Sequence, residues 1–101
     1  MDVNNQHSER IKYLTELAEL TIKSQKSDNT LKISFVNKSL FAEFESLSLS
    51  TIFNLYGKDH PFYTKFLEKC NEPHPGHVSN GMGILLAIKS EIEKGWLDEK
   101  K

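Results

Sequence analysis

Apolar residues return every three or four positions in four stretches of this chain, and each stretch ends at glycine, proline or a run of turn residues. That spacing puts apolar side chains on one side of an α-helix, and such a helix must bury that side against another element. The first stretch carries Ile11, Leu14, Leu17, Ala18 and Ile22, with Glu16 and Glu19 off the stripe. Ser8 is placed to cap it through its hydroxyl, so residues 1–7 are expected to fray. The second stretch, residues 40–56, shows a broad apolar face of Leu40, Phe41, Phe44, Leu47, Thr51, Ile52 and Leu55. Asn37 or Ser39 can start it, and Gly57 stops it. Its middle, "SLSLST" at 46–51, alternates as a strand would, but the flanking FAEF and IFNLY favour helix.

The third stretch opens at Pro61, where a missing N–H costs nothing, with Asp59 or His60 at the cap. Phe62, Phe66 and Leu67 should face inward, with Tyr63 and Cys70 alongside. Pro73, Pro75 and Gly76 set a loop, and the fourth helix is expected from Val78 or Ser79 to Lys94. Between the first two helices, "SDNT" at 27–30 is turn chemistry. After it, Leu31, Ile33 and Phe35 alternate with Lys32 and Ser34 at the period of a strand. A lone strand has no partner in so short a chain, so an extended linker pinned by its apolar side chains fits equally well. The fold expected is all-α: one domain over residues 1–101, a compact bundle of about four helices, at most one short extended segment near 31–36, and a polar tail at 98–101.

Composition narrows the function classes. The formal charge is −1, which gives no electrostatic reason to expect a nucleic-acid binder. Lys23, Lys26, Lys32 and Lys38 do cluster and could touch phosphates, but Asp28 dilutes them and the only arginine, Arg10, lies elsewhere. The single cysteine, Cys70, cannot form an intrachain disulfide and suits a reducing compartment. No apolar run approaches the roughly 20 residues that cross a bilayer. The polar N-terminus lacks the apolar stretch of a signal peptide. A cytoplasmic protein with no membrane partner is expected.

Two glycines open the fourth helix, at Gly81 and Gly83, and a third closes it at Gly95. Gly81 falls on the side of Val78, Met82, Leu85, Ile92 and Trp96, where a missing side chain lets another helix come close. Gly95 can take the left-handed conformation that ends a helix, letting Trp96 and Leu97 fold back over the last turn. The alternative is a phosphate cradle at a helix N-terminus. It lacks the preceding strand and the lysine or longer glycine pattern that such loops need.

Within residues 40–97, "YGKDHPFYTKF" is followed by "VSNGMGILLAIKSEIEKGWL". This pattern resembles a small helical accessory module of bacterial proteins, found beside TIR-like, predicted nucleotide-binding and other defence-associated domains. Gly57, Tyr63, Phe66, Val78, Gly81, Gly83, Ile84, Leu85, Ala87, Glu93, Gly95, Trp96 and Leu97 match that pattern. Tyr56 stands where the family has Phe, His60 where it tends to have a capping Ser, and Met82 where it has Ile. The resemblance implies an accessory or interaction role and supplies no catalytic residue. With no second domain after Leu97, the module is expected to act alone or to join a partner in trans.

The chemistry-bearing residues are few. Cys70, His74 and His77 form a Cys-x3-His-x2-His cluster, with His60 and Glu72 near in sequence, and zinc takes such ligands in sets of four. The spacing matches no standard site and a fourth ligand is missing, so the bland alternative is a packed Cys70 and two solvated loop histidines. A thiol nucleophile at Cys70 would sit near a helix C-terminus, where the dipole disfavours a thiolate. Asp59 and His60 are explained by a helix cap, and Glu91 and Glu93 point to different sides of a helix. No enzyme and no cofactor are expected. The reading that remains is a protein-interaction or oligomerisation module, binding a protein partner or itself as a homodimer through the helices at 40–56 and 78–97. Phe44, Ile52, Met82, Ile92 and Trp96 are its candidate anchors, some of which must instead be core. The alternative is a small regulator that binds nucleic acid or a nucleotide ligand.

Overall fold

A computed structural model describes residues 3–28 and 30–96. Four helices form the body: α1 (Val3–Lys23), α2 (Lys38–Tyr56), α3 (Pro61–Lys69) and α4 (Pro75–Glu93). Between α1 and α2 lies a hairpin of two short strands, β1 (Lys26–Asp28) and β2 (Ile33–Phe35). The expected small all-α bundle with a short extended segment is what forms.

The hairpin shows what the period-two segment pairs with. β1 and β2 are antiparallel, with Ser27 opposite Ser34 and Lys26 opposite Phe35. The partner strand is thus the three residues just before the turn, too short and polar to show a period of their own. Lys32 takes a left-handed conformation, φ 58°, at the end of the turn.

Two helices begin earlier than their apolar pattern. α1 starts at Val3, so Ser8 lies inside the helix and not at its cap. The polar run Asn-Asn-Gln-His carries no stripe, yet extending a packed helix fixes only one residue per added bond. α4 starts at Pro75, which takes the first-turn position, so Gly76 and His77 are helical rather than loop. Its first bond runs from the Val78 N–H to the His74 carbonyl. The other caps follow the sequence. Asn37 accepts the Leu40 N–H at 2.9 Å, and His60 Nδ1 accepts the Phe62 N–H at 3.0 Å. Gly57 (φ 90°) closes α2, donating to the Phe53 carbonyl. Gly95 (φ 76°) closes α4 by the paired bonds Gly95 N–H to Ile92 O and Trp96 N–H to Glu91 O.

The helices run around the core in chain order, each packed on the next, with α4 lying most extensively against α1. α2 and α4 face each other across the centre. They meet where Phe44 approaches Gly81 and where the Tyr56 hydroxyl donates to Glu91 at 2.7 Å. The core is built from Ile11, Leu14, Leu17 and Ala18 of α1, Phe41, Phe44 and Ile52 of α2, Phe66 of α3, and Val78, Leu85, Ile88 and Ile92 of α4, with Cys70 and Val36 at its edges. Phe44 and Phe66 stack at 5.9 Å between centroids. Among the described residues no helix is long and apolar enough to cross a membrane.

The buried hydroxyls are not all alike. Thr21 and Thr51 return their protons to carbonyls one turn back, Leu17 O at 2.7 Å and Leu47 O at 2.8 Å. The Ser48 hydroxyl, fully buried, has no hydrogen-bond partner among the described residues. A buried unpaired hydroxyl costs on the order of 1–3 kcal/mol. Ser48→Ala is therefore expected to raise the unfolding free energy by about 1 kcal/mol, read from urea denaturation midpoints.

Candidate functional site

The residues with the most reactive chemistry are used as fasteners. Cys70 ends α3 with its sulfur under α4, where the position of a Cβ on Gly81 would lie 2.8 Å away. Its thiol is fully buried, and burial pushes its pKa up to about 12. The negative charge of Glu45 adds to that, and a backbone hydrogen bond from Gly81 opposes it. His74 and His77 serve other partners. The His74 Nδ1–H donates to the Ser34 carbonyl at 2.9 Å, its Nε2 lies 3.3 Å from Glu72, and its ring packs on Phe35. The residue therefore ties the start of α4 to the hairpin. His77 Nδ1 accepts the Asn71 N–H at 3.2 Å, which joins the turn after α3 to the first turn of α4. The two imidazoles lie 5.8 Å apart, but among the described residues no group of three or more His, Cys, Asp or Glu is placed to hold a metal ion.

The other titratable candidates are equally occupied. His60 gives its Nδ1 to the α3 cap and lays its ring 4.3 Å from that of Tyr56. Glu91 takes the Tyr56 hydroxyl, whose pKa is raised by burial and then by that carboxylate. Glu93 pairs with Lys89 at 2.8 Å, so the two glutamates serve different neighbours. Lys23, Lys26, Lys32 and Lys38 are all exposed and gather at the hairpin end of the bundle. Arg10 lies apart from them, beside a groove between α1 and α2.

The candidate anchors divide sharply. Phe44 and Ile52 are fully buried and Ile92 is 5% exposed, so these three are core and not interface. Met82 is half-buried and packs against the core. Only Trp96 is open, at 66%, with the Lys94 ammonium 4.8 Å from its ring centre. Its backbone completes the helix-closing bonds, but the ring stays exposed and does not seal the last turn. Leu97 lies outside the described residues.

What the apolar spacing alone misses is the outer face of α2. Leu47 (41%) and Phe53 (51%) stand exposed there, with Ser46, Ser50 and Asn54 between them. Phe53 meets Tyr63 of α3 edge-on at 6.2 Å. Leu49 lies one turn before Phe53 on α2, and the exposed Leu67 one turn after Tyr63 on α3, so the apolar strip continues along the junction of the two helices. The signal was in the sequence as an absence: residues 46–57 contain no charged side chain, in a chain that is 27% charged. α4 repeats this over residues 78–88, where its solvent side shows Ser79, Asn80, Gly83, Leu86 and Ala87. Comparison with known proteins returns no match to a family model, to a curated protein or to a solved structure.

Proposed function

We propose that this chain is a non-enzymatic interaction module. It works by burying uncharged helix faces against another protein or a second copy, as an accessory component of a bacterial defence or regulatory system. The observation that carries this reading is the lack of charge on the solvent sides of α2 over residues 46–56 and of α4 over residues 78–88. A solvated helix face normally carries charges, and the centres of protein interfaces are depleted of them. The link to defence systems rests on the resemblance of residues 40–97.

Gly83 supplies the test. It is exposed in mid-helix, and an added Cβ would meet nothing within 4 Å, so the fold gains nothing from a glycine there. Glycine in a helix interior costs roughly 1 kcal/mol relative to alanine. Gly83→Ala is expected to raise the unfolding free energy by about that much. It should also weaken association, because the new methyl stands where a neighbour would approach. Light scattering behind size exclusion over a wide concentration range, and capture from a bacterial lysate, read the second effect. A variant that is more stable and associates as well as the parent would count against the α4 face. A protein that stays monomeric and captures nothing specific would remove the reading altogether.

A further inference from the structure

Between α1 and α2 runs a groove with a cavity of about 320 Å³, lined by Arg10, Tyr13, Leu14, Leu47, Ser50 and Thr51. Its floor is Leu14 and Thr51, both buried, and its walls are the half-exposed Leu47 and Tyr13. Tyr13 is fixed across the groove by its hydroxyl, which donates to Glu43 of α2 at 3.1 Å. The α2 wall carries no charge from residue 46 onward. At the rim stands Arg10, the only arginine of the chain, and neither ion pair among the described residues involves it.

We infer that this groove receives an amphipathic helix of a partner protein, which sets an apolar side chain over Leu14 and Leu47 and a carboxylate on Arg10. The inference rests on the proposed interaction role and names the partner's chemistry. Shape and charge select the occupant. A groove between two helices with an apolar floor fits a third helix reading out through anchors one turn apart. A guanidinium presents a rigid fork of donors that matches a carboxylate. Arg10 is the only charged side chain among the residues that line the groove, and the nearby Glu43 is already engaged by Tyr13. The partner helix therefore carries a carboxylate where it meets Arg10 of α1 and is uncharged where it meets α2.

Two synthetic peptides of about 18 residues, roughly five helical turns, test this. Both carry the same leucine stripe; one has glutamates on its flanks and the other lysines. Each is titrated into the isotope-labelled full chain and followed by backbone amide shifts. Saturable shifts at residues 10–14 and 47–51, with the glutamate peptide about fivefold tighter, are expected. Arg10→Gln should abolish that preference while leaving helical content unchanged, since Arg10 is exposed. Shifts confined to other surfaces would overturn the inference, as would a charge preference that survives Arg10→Gln. Groove shifts that grow with protein concentration alone would mean that a second copy is the occupant, which also overturns it. The Gly83→Ala measurements separate the two levels. If association occurs and responds at Gly83 while the groove stays silent, the groove assignment alone falls.

Discussion

Gly81→Ala destabilises the fold by about 2 kcal/mol, and Gly81→Val prevents the native core from closing. The reason is local and steric. A Cβ at residue 81 would lie 2.8 Å from the Cys70 sulfur, 2.9 Å from a Phe66 ring carbon and 3.1 Å from a Phe44 ring carbon. All three neighbours are buried and none is the free end of a flexible chain, so relief requires moving α4 away from α2 and α3. Alanine recovers roughly 1 kcal/mol in helix propensity, which is too little to offset three contacts this short. Gly83→Ala, two residues along the same helix, is the internal control, because the same substitution there has the opposite sign. Thermal and urea unfolding of both variants reads the pair. Combining Gly81→Ala with Cys70→Ala removes one of the three contacts and should return part of the loss, a coupling of about 1 kcal/mol. Equal stabilities for the two alanine variants would show that α4 is not held at Gly81.

The second large effect is kinetic. In the native protein Cys70 should react with a thiol reagent at least about a thousandfold more slowly than a free cysteine at pH 8. Only the thiolate attacks, and a pKa raised to about 12 leaves almost none of it, behind a surface that admits no solvent. Labelling then reports opening of the α3–α4 junction, and Gly81→Ala should accelerate it. The same shift sets the alkaline limit of stability. The unfolded thiol loses its proton near its ordinary pKa, whereas the folded one keeps it to about 12. The folded state thus binds more protons in that window, and stability falls as pH rises from about 8.5. Tyr56, raised by burial and by Glu91, acts in the same direction at higher pH. Rapid native labelling at pH 8, or flat stability from pH 8 to 10 with cysteine present but not in Cys70→Ala, would contradict this.

How much was legible follows from what each residue answers to. Helix number and the stops at Gly57 and Gly95 were readable, and the caps at Asn37 and His60 were each narrowed to one of two residues, because each depends on a neighbour within four residues. The role of Gly81 was readable too, since its place on the apolar side of the helix follows from spacing alone. The early starts of α1 and α4 were not, because a polar turn laid onto a packed helix leaves no pattern. β1 escaped for a related reason: three residues cannot display a period. Among the anchors, periodicity marks which residues lie on the apolar side but not how deep that side sits. Phe44, Ile52 and Ile92 were therefore indistinguishable from a surface until neighbouring helices covered them. The histidines read as ligand candidates because their spacing is visible, while the carbonyl and N–H groups they serve, at Ser34 and Asn71, come from other elements.

Because α2 and α4 meet across the core, their uncharged sides look in opposite directions. A body with one such side ends an assembly; a body with two continues it. If both are occupied at once, each molecule has a valence of two, and the product depends on proportion as much as on affinity. Near equivalence with a partner the complexes lengthen, and with excess module they shorten again, each partner being capped separately. Cellular dosage would then set the size of the assembly, and a modest change in expression would act as a switch without any change in the fold.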